Sequence, residues 1–156
     1  MMLNEFSAKK LGEVLAFSRV GIETLVKGRN ALSPILEVGK TITTLEEDEK
    51  KVLALADAYA VTEIVTTKAE STGQKLRAMR DLYVAEQWDN QSELLEWFGF
   101  FQGAAIVHWG LVLGVGEGKT DEVIRDLASQ ALRVHEELLE KVKTELGKIG
   151  KTKAVV

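Results

Sequence analysis

Cysteine is absent from this 156-residue chain, which excludes disulfides, thiolate metal sites and thiol catalysis together. That fits a reducing compartment, and a cytoplasmic location is the expectation. A single proline leaves almost nothing to interrupt a helix. Positive charge is not in excess: 20 Lys and Arg stand against 24 Asp and Glu, a net charge of −4. Nucleic acid is therefore not expected as the main partner, since that affinity rests on neutralising phosphates. Residues 1–6 carry neither a basic flank nor a long apolar run, so no signal peptide is expected. Repeats, low-complexity runs and interdomain linkers are also lacking.

What is present is ordinary globular material rich in helix formers. Hydrophobic residues are 46% and charged residues 28%, so disorder is not expected. Ala, Leu, Glu, Lys and Val favour helix. Many Glu and Lys with few Asn fit a thermophilic source. The reading is one domain over residues 1–148, followed by a short basic tail, 149–156.

Apolar periodicity predicts an all-α, up-and-down bundle of four long helices and two shorter segments. The first helix runs over residues 4–27 on a stripe that includes Leu11, Val14, Leu15, Ser18, Ile22 and Leu25, and stops at Gly28 and Asn30. Ser33-Pro34 reads as N-cap and first position of a short segment ending near Gly39. Thr44 with Glu47 forms a capping-box pattern and opens the third helix. Unbroken to Trp88, that helix would be roughly 65 Å long, against a radius of gyration of about 15 Å for the whole chain. A break is therefore placed at Ser71-Thr72-Gly73, with a fourth helix over 74–87. Asn90 with Glu93 caps the fifth. Thr120 or Asp121 caps the sixth, over 122–147.

The fifth helix is unusual. Its residues 97–116 carry no formal charge between Glu96 and Glu117, and Gly99, Gly103, Gly110 and Gly114 share one narrow arc. An all-round apolar helix belongs inside a bundle or a bilayer. Gln102 and His108 within the run, acidic flanks and the amphipathic partner helices favour the bundle. A membrane span is therefore not expected. This helix is read as the central member, its glycines letting a neighbour pack closely.

Candidate chemistry is sparse. The run 114–120 (GVGEGKT) resembles a phosphate loop, but Leu113 stands where the signature needs glycine, and a helix precedes it. Glu63, Glu86, Glu96 and His135 fall on apolar faces of four helices, where lone ionisable groups need partners or a metal. Four inward ligands suit a carboxylate bundle holding iron or manganese, ferritin-like in general layout, with redox or hydrolytic chemistry. The Glu-x-x-His pairs of such sites are missing, since Ala105 and Leu132 precede the two histidines by three. That metal-dependent reading is the alternative. The preferred one is a non-enzymatic bundle without cofactor that oligomerises, as a homodimer, or binds a partner. Its expected interface is a second apolar strip on the first helix: Phe17, Val20, Gly21 and Thr24. His108 is read as a hydrogen-bonded core residue.

Overall fold

The computed structural model describes residues 2–155, and all regular structure among them is helical. Six helices follow in order: α1 (Glu5–Lys27), α2 (Arg29–Leu32), α3 (Val38–Ala58), α4 (Thr62–Val84), α5 (Gln91–Lys119) and α6 (Glu122–Lys153). The all-α bundle stands, with five long helices and one four-residue turn rather than four and two. The basic tail continues α6, whose last turn contains Lys151 and Lys153.

Three starts follow the expected capping chemistry, in which a side-chain oxygen satisfies an orphan backbone N–H. Asn4 accepts from Ser7 N at 2.8 Å, Asn90 from Glu93 N at 3.1 Å, and Asp121 from Ile124 N at 3.0 Å. Thr44 is not a cap. Its hydroxyl donates to the Lys40 carbonyl inside α3, as those of Thr41 and Thr43 do to Glu37 and Gly39. With these hydroxyls bonded back onto the helix, α3 begins at Val38, and Ser33-Pro34 lies in the turn after α2.

α1 stops at Gly28 as expected, but the stops of α3, α4 and α5 come from unexpected residues. α4 runs straight through Ser71-Thr72-Gly73, and the break falls at residues 59–61, where Ala60 adopts φ 56°. Val61 N donates to Ala56 O and Ala60 N to Asp57 O, the paired bonds of a Schellman cap. Thr120 (φ 54°) closes α5 in the same way, through Asp121 N to Gly116 O and Thr120 N to Glu117 O. Ala85 (φ 53°) ends α4. Described glycines all have negative φ.

The central helix is α1, not α5. Every residue from 11 to 18 is buried, because α1 packs against α3, α4 and α5 at once. Its closest approach is at Gly12, where a Cβ would lie 2.6 Å from both Lys68 Cβ and the Val65 carbonyl of α4. α5 pairs most extensively with α6 and touches α1 on a second side. Its remaining side has no cover from the described residues.

Candidate functional site

The residues assigned to an interface on α1 lie in the core. Phe17, Val20 and Thr24 are buried, with Phe17 packed against Phe101 and His108 of α5 at ring separations of 5.1 and 5.0 Å. Thr24 spends its hydroxyl on the Val20 carbonyl, at 2.8 Å. Two apolar strips on one helix signalled a helix covered from several sides rather than one with surplus surface.

The four candidate metal ligands do not converge. Glu63, Glu86 and Glu96 are exposed on α4, beyond the end of α4, and on α5. No group of three or more His, Asp or Glu is placed to hold a metal among the described residues. Glu63 was put on a buried arc by continuing the phase of α3, and the break at Ala60 resets that phase. Glu86 lies past Ala85, outside helical geometry.

His135 is buried, and its Nδ1 makes a hydrogen bond with the Gln102 amide oxygen between α6 and α5. Burial disfavours the imidazolium and pushes its pKa down to about 4. Asp48 of α3 is also buried, and one carboxylate oxygen lacks a partner. Burial pushes its pKa up to about 6, against the pull of Lys51.

Sequence reasoning missed Glu13, the best-connected buried carboxylate. It accepts from Lys10 at 3.1 Å, lies 3.0 Å from His108 Nδ1 and 3.8 Å from Lys68 Nζ, so α1, α4 and α5 are joined by one side chain. The signal was a lone Glu inside a continuous apolar stretch, residues 11–18, opposite a lone His on the uncharged helix. His108 is hydrogen-bonded, as the sequence suggested, and about one-third exposed.

The largest departure concerns the glycine stripe. A Cβ at Gly103, Gly110 or Gly114 would meet nothing within 4 Å, and only Gly99 has a close neighbour, Val142 Cγ1 at 3.1 Å. Close packing within the chain is thus wrong for three of the four. Along the same face Phe100, Val107 and Leu111 are 58%, 65% and 39% exposed. Phe100 stacks on buried Trp97, which also contacts the half-exposed Tyr83 at the end of α4. At the other end, Leu111, Gly110 and Gly114 border an open groove of about 650 Å³ with Phe6 of α1, itself 55% exposed. Exposed apolar side chains thus follow one another along α5, which carries no formal charge between Glu96 and Glu117, while Asn4, Ser7 and Lys119 also line the groove beside Phe6.

Comparison with protein-family models, with curated proteins and with solved structures found no match.

Proposed function

We propose that this protein works by association rather than through a catalytic centre, and that its docking surface is the open face of α5. The observation that carries this reading is the run of exposed Phe100, Val107 and Leu111 beside glycines with empty space above them. The largest exposed apolar patch on a chain, typically a few hundred Å², is often an interaction surface. The glycines have a role only if something approaches closely, because each costs helix stability of ~1 kcal/mol relative to Ala. A second copy of the chain is the preferred occupant. The interface residues differ from those the sequence indicated, while the kind of function is the same.

α5 is long and apolar enough to cross a membrane. Its packed sides argue against that role. α6 lies alongside with Arg133, Glu136, Glu137, Glu140 and Lys141 exposed. A spanning α5 would carry these charges into hydrocarbon, at several kcal/mol each. Glu93 and Glu96 at one end also repel an anionic bilayer surface.

Equilibrium sedimentation of the wild type and Val107→Lys, with vesicle flotation beside it, tests the reading. The wild type should sediment at twice the monomer mass or more, and Val107→Lys should sediment as a folded monomer. A wild type that stays monomeric, or one that floats with neutral vesicles, overturns it.

A further inference from the structure

The open face of α5 also specifies how two copies meet, an inference that rests on the self-association proposed above. At about 100° per residue, Phe100, Val107 and Leu111 lie on the flank toward α1, whose Glu13 contacts His108. Gly99, Gly103, Gly110 and Gly114 lie round toward α6, where Gly99 meets Val142. One flank is thus a ridge and the other a trough.

A two-fold axis parallel to α5 sets the ridge of each copy into the trough of the other. An axis perpendicular to α5 sets ridge against ridge and trough against trough, which holds the helices apart on one side and wastes the glycines on the other. Only the parallel arrangement gives each large side chain a place. Phe100 then faces the gap between Gly99 and Gly103 of the second copy, Val107 the gap between Gly103 and Gly110, and Leu111 the gap between Gly110 and Gly114. We infer that α5 packs in parallel against α5 of a second copy, ridge into trough, with Val107 and Gly114 near the axis.

The length of the uncharged run suits a second copy as the occupant. Whatever covers the face must be uncharged over about 30 Å, the length of twenty helical residues, and α5 itself meets that condition. An ordinary interface buries about 800 Å² per partner, whereas a bare helix strip 30 Å by 10 Å projects only about 300 Å². The exposed Tyr83 and Phe6 rings extend the ridge at its two ends and bring the end of α4 and the start of α1 into the contact.

The chain has no cysteine, so single-cysteine variants report pairing without background. Val107→Cys and Gly114→Cys are each oxidised in dilute solution, and dimer formation is read on a non-reducing gel. A disulfide needs Cα atoms within about 7 Å, and seven helical residues span about 10 Å. Both variants can cross-link to themselves only if the helices are parallel, and most of each chain is expected as disulfide dimer. Cross-linking of one variant alone, or only of the two mixed, overturns the parallel arrangement and leaves self-association standing. No cross-linking in a chain that sediments as a dimer moves the contact off α5, and a monomer at all concentrations removes the contact. Both results overturn the inference and the proposed docking face. Gly114→Cys keeps the fold intact, because its Cβ meets none of the described residues within 4 Å.

Discussion

Glu13 of α1 and His108 of α5 lie 3.0 Å apart, and this contact ties the central helix to the one that carries the open face. Glu13 is 8% exposed and also holds Lys10 and Lys68. Hydrogen bonds to a charged group are worth about 1.5–3 kcal/mol, and their loss leaves the partners short of an acceptor. Glu13→Ala should lower stability by about 2 kcal/mol in urea titration, with the fall confined to the midpoint rather than the slope. A change of only a few tenths would show that the network is incidental.

His135 and Asp48 give stability two opposing pH dependences. The His135 pKa is depressed to about 4 in the folded state by burial, so between pH 6.5 and 4 the unfolded chain binds more protons and stability drops as pH is lowered. Asp48 is raised to about 6, so over about pH 6 to 4 the folded chain binds more protons and stability rises as pH falls. Each effect amounts to at most about 3 kcal/mol, and they largely cancel in the wild type. Asp48→Asn should be more stable than the wild type at pH 7, and this advantage should vanish by pH 4. Relative to the wild type, His135→Gln should recover stability as pH falls through the same window. Parallel pH profiles for all three proteins would contradict both assignments.

The glycines should divide into two kinds. Gly12→Ala forces a methyl against Lys68 Cβ and the Val65 carbonyl, and overpacking costs about 1–3 kcal/mol. Gly110→Ala meets nothing in the chain and gains up to about 1 kcal/mol of helix propensity. Its thermal midpoint should rise at low protein concentration while its dimer dissociates more readily. A fall in the monomer midpoint of Gly110→Ala would show that this face is packed within the chain.

Ala60 holds a left-handed conformation that costs a non-glycine residue about 1–2 kcal/mol. Ala60→Gly should therefore raise stability by up to about 1 kcal/mol, as measured by chemical denaturation. An unchanged midpoint would mean that the Schellman bonds to Ala56 and Asp57 do not depend on the conformation of this residue.

Ala60 also explains much of what the sequence hid. The starts of α1, α5 and α6 were legible, because Asn4, Asn90 and Asp121 satisfy orphan N–H groups by local chemistry that residue type reveals. Apart from Gly28 after α1, stops were not, since Ala60, Ala85 and Thr120 do the work usually left to glycine while the other described glycines stay helical. The misplaced break then carried Glu63 onto a face it does not occupy, and the metal reading followed. The stripe on α5 was visible, but its direction was not: an all-round apolar helix has no polar face to show which side meets solvent. Periodicity likewise showed two apolar strips on α1 without showing that both are covered.

The measurement that bears most directly on the account is the rate at which a maleimide modifies reduced Val107→Cys over a range of protein concentrations. Position 107 is 65% exposed in the single chain and central to the proposed contact. Modification should be fast at high dilution and should slow at least tenfold as concentration rises, with Val123→Cys on the exposed side of α6 as an unchanging control. Equally fast modification of Val107→Cys at every concentration would mean that the face stays open, and would contradict the claim that copies of this chain cover it.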